Sequence, residues 1–238
     1  MSELQLRVIS AVVLAVLALG STWVGGKLFI AVWAILALLV LQEWMTITRT
    51  KPNFAVWGAS GIVYAVGLFF SVIVLRTGAS DAEGQYYGLL AILFLFAVVW
   101  ASDVFAYFTG RTLGGPKLAP RISPNKTWTG FCGGILGGMG TATALMAAFG
   151  YGRFALYHAG LAAVLSLASI FGDLFESAFK RRFGVKDSGK LIPGHGGFMD
   201  RLDGFIFAAI LAAIIGIAVG GSGQAARGLL FFGAIPAP

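Results

Sequence analysis

Four aspartates fall where an apolar chain rarely tolerates charge: Asp103 inside one long apolar run, Asp173 at the end of another, Asp200 and Asp203 at the start of a third. An ionisable group at membrane depth is costly and is by default a functional candidate. Asp173 with Glu176, and Asp200 with Asp203, stand three residues apart, so each pair shares one face of a helix. Two carboxylates on one face repel unless a Lys, an Arg or a divalent cation sits between them. Glu176 reads equally as a helix-end carboxylate reaching toward water.

The residues between these carboxylates narrow the chemistry. Lys180-Arg181-Arg182 is followed by Lys186-Asp187-Ser188-Gly189-Lys190 and then by Pro193-Gly194-His195-Gly196-Gly197. Glycines beside cations make a loop whose backbone N–H groups can approach phosphates. Carboxylate oxygens completed by phosphates are what Mg²⁺ prefers. A second segment, Arg121-Ile122-Ser123-Pro124-Asn125-Lys126-Thr127-Trp128, precedes another apolar run. Ser123 or Thr127 is placed to cap that helix, whose free N–H groups would face an anion with Lys126 adding a point charge. The same residues also read as a capped helix start and nothing more. Residues 110–117 are not a phosphate loop, because Pro116 stands where that motif needs Lys and no strand precedes it. Carboxylates for a hard metal, cations for phosphates and a membrane-level location together imply phosphoryl or nucleotidyl chemistry on a lipid. His195 reads as ordering its glycine loop or touching a phosphate ahead of acting as a general base, with metal ligation open. Asp187 is an ion-pair partner of Lys186 as readily as a site residue.

The elements that must position these residues follow from composition. Of 238 residues, 58% are apolar or aromatic and 11% are charged, with a mean hydropathy of +0.87. Soluble domains run at about 45–50% apolar and about 25% charged. There is too little charge to wet the surface, so most of it meets lipid. Long apolar runs without period-2 alternation mean helices, because lipid leaves no partner for an unpaired backbone. The expected architecture is all-α and polytopic, with about seven transmembrane helices near 8–25, 28–47, 54–75, 88–109, 130–150, 154–174 and 204–221 and with cytoplasmic active-site loops. Residues 225–235 are too short to cross and either lie at the interface or extend the last helix. The first run, lacking a clean cleavage site, is expected to be an uncleaved span rather than a signal peptide.

Charge placement gives orientation. With the N-terminus cytoplasmic, thirteen Lys and Arg (7, 49, 51, 111, 117, 121, 126, 180, 181, 182, 186, 190 and 201) fall on that side and Lys27, Arg76, Arg153 and Arg227 on the other. That bias accounts for much of the +7 net charge, so no nucleic acid partner is implied. Residues 173–203 hold 11 of the 27 charges, which concentrates them beside the candidate carboxylates. Cys132 alone excludes an internal disulfide or a cysteine-based zinc site, and His158 and His195 are too few for a histidine metal centre. The Gly133/Gly137 and Gly134/Gly138 pairs read as close helix packing within one subunit ahead of a dimer seam. The whole is one integrated membrane domain, N-terminal helices over 1–100 and a catalytic region over 101–238.

The stretch Ser177-Ala178-Phe179-Lys180-Arg181, four residues on to Lys186-Asp187-Ser188-Gly189-Lys190-Leu191-Ile192-Pro193-Gly194-His195-Gly196-Gly197-Phe198-Met199-Asp200-Arg201-Leu202-Asp203, closely resembles the signature of the phosphatidate cytidylyltransferase (CDP-diacylglycerol synthase) family. Asp103 with Ala106-Tyr107, Gly110 and Arg111, and the segment Ser123-Pro124-Asn125-Lys126-Thr127, resemble it too. Members often carry a Glu where Thr129 stands here, so no acid role is assigned there. The resemblance implies transfer of a cytidylyl group from CTP to phosphatidic acid, giving CDP-diacylglycerol and pyrophosphate, in a homodimer; with no targeting sequence evident, a bacterial inner membrane is the simplest host. It implies Mg²⁺ on Asp173, Asp200 and Asp203, with a second, monovalent cation such as K⁺ beside it. Lys126 joins these aspartates as catalytic, and Asp103, Ser123, Lys180, Arg181, Lys186, His195 and Arg201 are the expected substrate contacts. Two other readings fit the sequence less well. A cation-coupled transporter would spread its carboxylates through bilayer depth in an inverted repeat, and none is found. A CDP-alcohol phosphotransferase would carry D-G-x-x-A-R, which is absent.

Overall fold

The computed structural model describes residues 3–78, 81–192 and 196–232. Each of the seven apolar runs is a helix: α1 (Glu3–Val24), α2 (Gly26–Thr48), α3 (Phe54–Thr77), α4 (Ala82–Leu113), α5 (Trp128–Met146), α6 (Ala155–Arg182) and α7 (Met199–Gly220). Among the described residues, five stretches are long and apolar enough to cross a bilayer: Gly26–Thr48, Phe54–Thr77, Ala82–Leu113, Trp128–Arg182 and Met199–Gly220, with a shorter apolar helix at Val8–Val24. The Trp128–Arg182 stretch is broken at Gly150, where φ is 90°, and its arms α5 and α6 pack on each other. The protein is thus an all-α polytopic membrane protein.

Two local expectations are corrected. Between α4 and α5 the chain forms a two-stranded antiparallel hairpin, β1 (Lys117–Ala119) and β2 (Ser123–Thr127), with Lys117 opposite Thr127 and Ala119 opposite Ser123. It follows Gly114 and Gly115, both at positive φ, which end α4. The segment after α7 does not extend that helix. Gly221, at φ 69°, stops α7, and a separate short helix, α8 (Ala225–Leu230), folds back with Leu229, Leu230 and Phe231 buried. Tyr157 Oη donates to Leu229 O at 2.5 Å and His158 Nε2 meets Leu230 O at 3.1 Å, so two side chains of α6 satisfy carbonyls at the end of α8. Ile235 lies outside the described residues.

The connections gather into two groups. At one end are the α2–α3 turn, the hairpin and the α6–α7 loop: Trp44 Nε1 donates to Trp57 O at 2.8 Å, Arg182 lies over the Trp57 ring, and Arg181 Nε approaches Ile122 O at 3.5 Å. At the other end, Arg76 Nε donates to Thr22 O at 2.9 Å, Arg227 pairs with Glu83 at 2.7 Å, and Tyr87 meets Phe231 edge to face. The core between them is apolar and aromatic, with Trp33, Phe94, Leu95, Leu165 and Ile206 almost wholly buried.

Glycines set the tightest approaches. Gly130, Gly133, Gly134 and Gly137 of α5 face α4 within the chain: a Cβ on Gly134 would stand 2.9 Å from Ser102 O, and one on Gly130 would stand 2.8 Å from Ala106 O. Where lipid supplies no hydrophobic drive, such close backbone contact is what binds helices.

Candidate active site

The site begins at the crossing of α6 and α7. A Cβ on Gly172 would come 2.5 Å from Asp203 O, and one on Gly204 would come 3.0 Å from Ser169 O, so only glycine permits these backbones to meet. Asp173 and Asp203 are the chain neighbours of those two glycines. The crossing therefore carries both carboxylates to one place, where Asp103 of α4 also falls within electrostatic reach of each. Asp203 Oδ1 accepts from Gly204 N at 2.7 Å.

The hairpin delivers the positive charge. Lys126, on β2, forms an ion pair with Asp173, and both side chains are about three-quarters or two-thirds covered, at 24% and 33% exposure. The next residue, Thr127, caps α5 by accepting from Gly130 N at 3.1 Å, so Thr127 rather than Ser123 is the cap. Cap and ion pair together fix the height of Lys126 against α6. Thr129 contributes no acid: its hydroxyl meets Gly114 O and Thr127 Oγ1. Arg201, exposed on the first turn of α7, lies within electrostatic reach of Asp103.

A second cluster lies under the α6–α7 loop. Lys180 Nζ is 2.6 Å from Glu176 and 2.5 Å from Asp200 Oδ1. Asp200 Oδ2 accepts from Ser188 N at 2.9 Å, Ser188 Oγ at 2.9 Å and Gly197 N at 2.8 Å. The bond to Gly197 N ties Asp200 to the loop just ahead of α7. Gly184, at φ 73°, closes α6, whose last turn holds Lys180, Arg181 and Arg182 where the helix dipole favours cations.

Of the residues expected from sequence, Asp103, Lys126, Asp173, Asp203 and Arg201 are brought together, while Lys180 and Asp200 belong to the loop cluster. Arg181 and Lys186 are exposed at the same end, and Ser123 sits half-buried in the hairpin opposite Ala119. The expectation for His195 lies outside the described residues. Among the described residues, no three His, Cys, Asp or Glu side chains stand close enough to hold one metal together. Asp173, Asp200 and Asp203 are thus not gathered as a ligand sphere here, because Asp173 is drawn to Lys126 and Asp200 to Lys180. The donor chemistry nonetheless fits a hard cation: Asp103, Asp173 and Asp203 offer three carboxylates against Lys126 and Arg201, an excess of negative oxygen.

Sequence reasoning missed Glu43. This carboxylate of α2 is 3% exposed and accepts from Phe198 N, Met199 N and Ser188 Oγ, joining the second helix to the loop more than a hundred residues away. Its signal was present: it is the one carboxylate in the apolar run 28–47, the property that singled out Asp103.

The chain resembles known proteins over most of its length. The profile of the cytidylyltransferase family matches residues 59–218. The chain belongs to the cytidylyltransferase family. The family match contains both charged clusters apart from Glu43. Relatives named phosphatidate cytidylyltransferase include one from Brucella abortus, 38% identical, covering 91% of this chain and 94% of that protein. One from Rickettsia bellii is 35% identical, covering 87% of this chain and 88% of that protein. One from Staphylococcus aureus is 44% identical over 133 residues, covering 56% and 51%. Nothing in these comparisons supports a transporter.

Proposed function

We propose that this protein transfers the cytidylyl group of CTP to phosphatidic acid, releasing pyrophosphate and forming CDP-diacylglycerol. The observation that carries the reading is the Lys126–Asp173 pair standing beside Asp103 and Asp203 at one end of a lipid-embedded bundle. An oxygen of the lipid phosphate attacks the α-phosphorus of CTP, the bond from that phosphorus to the oxygen bridging to the β-phosphate breaks, and pyrophosphate leaves with that electron pair. The attacking phosphate monoester is already mostly dianionic near neutral pH, its second pKa being about 6, so no strong general base is needed. The difficulty is bringing two polyanions together. Lys126 and Arg201 attract and orient the phosphates inside the cluster, and exposed Arg181 and Lys186 do so at its mouth, by positioning and charge stabilisation.

Asp173, Asp203 and Asp200 would hold Mg²⁺, Asp173 and Asp200 by exchanging the lysines that now face them. Such a cation, when bound, supplies charge neutralisation and polarisation at the phosphates. The excess of carboxylates also supports a second, monovalent cation such as K⁺. The positive-inside bias supports a cytoplasmic site, a multi-pass inner-membrane location, and seven crossings with Trp128–Arg182 passing twice. The family resemblance supports a homodimer, which light scattering in detergent would test.

Purified protein in micelles with phosphatidic acid, Mg²⁺ and labelled CTP should place label in the organic phase and release an equal amount of pyrophosphate. A folded preparation that forms no lipid-linked cytidine would sink the reading, and ion uptake into proteoliposomes would then favour a transporter.

A further inference from the structure

The helix that presents Asp200 and Asp203 does not hold its own start. Phe198, which precedes α7, makes no side-chain capping bond. The first N–H groups of a helix need acceptors. Here they come from α2: Glu43 Oε1 accepts from Phe198 N at 2.9 Å and Oε2 from Met199 N at 2.8 Å. The loop is drawn tightly onto the same carboxylate, since a Cβ on Gly189 would stand 2.7 Å from Glu43 Oε1. Ser188 Oγ lies 2.9 Å from Glu43 Oε2 and 2.9 Å from Asp200 Oδ2, with one proton to give. It cannot donate to both at once, so the two carboxylates share a hydroxyl and each governs where the other settles.

We propose that Glu43 is a positioning residue for the cytidylyl-transfer site: it sets the height and rotation of the first turn of α7, and through Ser188 the orientation of Asp200. Asp203 stands on that same turn, one residue before the Gly172–Gly204 crossing is complete. A small displacement of this turn moves two of the candidate ligands together, and misplacement of about 1 Å is enough to cost about a hundredfold in rate. The inference rests on the transfer reading given above.

The test uses Glu43→Gln, Glu43→Ala and Ser188→Ala in the full-length protein purified in micelles. Turnover per folded molecule should fall about tenfold or more in Glu43→Ala, with KM for CTP and for phosphatidic acid within about threefold of the original, the signature of lost alignment rather than lost binding. Glu43→Gln should lie between the two, because its amide oxygen still accepts one backbone N–H. Ser188→Ala, which keeps both bonds to α7, should lose less. Hydrogen exchange should quicken in residues 186–192 and 196–204 and stay unchanged in α3 and α4. Normal turnover per folded molecule in both Glu43 variants would overturn the proposal, even with a lowered melting temperature, as would exchange that rises evenly over the bundle. If Glu43→Ala does not fold, Glu43→Gln and Ser188→Ala decide by the same readouts. If the unaltered protein forms no lipid-linked cytidine, the transfer reading fails, and the exchange pattern alone decides whether Glu43 holds the start of α7.

Discussion

At the end of the bundle where α1 turns into α2, Arg76 spends its guanidinium on neutral acceptors: Thr22 O at 2.9 Å, in the last turn of α1, and the backbone and side-chain oxygens of Gln85. At the opposite end, Lys126 and Lys180 face carboxylates, and Asp103, Asp173 and Asp203 lie within electrostatic reach of one another. The first arrangement completes a helix terminus and leaves nothing over. The second leaves like charges in mutual range, which costs stability unless a ligand arrives. Strain of that kind belongs to a site, and its absence marks scaffold.

Removing a carboxylate from the crowded end should separate function from stability most sharply. Asp203→Asn is expected to lower CTP-dependent turnover by about 10²–10³-fold, the scale of losing one stabilising group at a reacting centre. Thermal unfolding in micelles should shift little or move upward, because a repulsive charge has gone. Lost turnover with an equally large loss of stability would mean that Asp203 is scaffold, and the contrast between the ends would fail.

How far this contrast could be read from sequence depends on what each residue needs. The seven helices were legible because lipid enforces long apolar runs, and Asp103, Asp173, Asp200 and Asp203 were legible because charge is rare beside them. The hairpin was not. Ser123-Pro124-Asn125-Lys126-Thr127 has no alternating apolar pattern, and it is a strand only because it pairs with Lys117 and Ala119. The partners of Asp200 were hidden for a similar reason. Spacing places it on a helix face, but Ser188 N, Gly197 N and Lys180 reach it through a loop whose path no periodicity encodes. Glu43 was hidden by distance along the chain, since only the fold brings α2 against the start of α7.

The scaffold end should show the reverse response. Arg76→Met keeps much of the side-chain volume but leaves Thr22 O and the Gln85 oxygens without their donor. A buried polar group left unpaired costs roughly 1–3 kcal/mol, so a loss of about 2 kcal/mol is expected in chemical or thermal unfolding. Turnover per folded molecule and KM for both substrates should stay within about twofold. A selective fall in kcat would show that the far end communicates with the site, and the division of labour would have to be redrawn.

The smallest effect is expected where the two ends look most alike. Arg227–Glu83 at the far end and Lys126–Asp173 at the near end are both ion pairs with one half-exposed or part-exposed partner. Exposed pairs contribute about 0–1 kcal/mol because water and salt screen them. Arg227→Gln should therefore cost less than about 1 kcal/mol, shrink further in high salt and leave turnover unchanged. Lys126→Gln should cost more in stability than Arg227→Gln, and turnover should collapse, because its partner Asp173 lies within electrostatic reach of Asp103 and Asp203 rather than beside a helix start. Equal kinetic consequences for the two substitutions would show that pairing geometry, and not the surrounding carboxylates, decides what these lysines and arginines do.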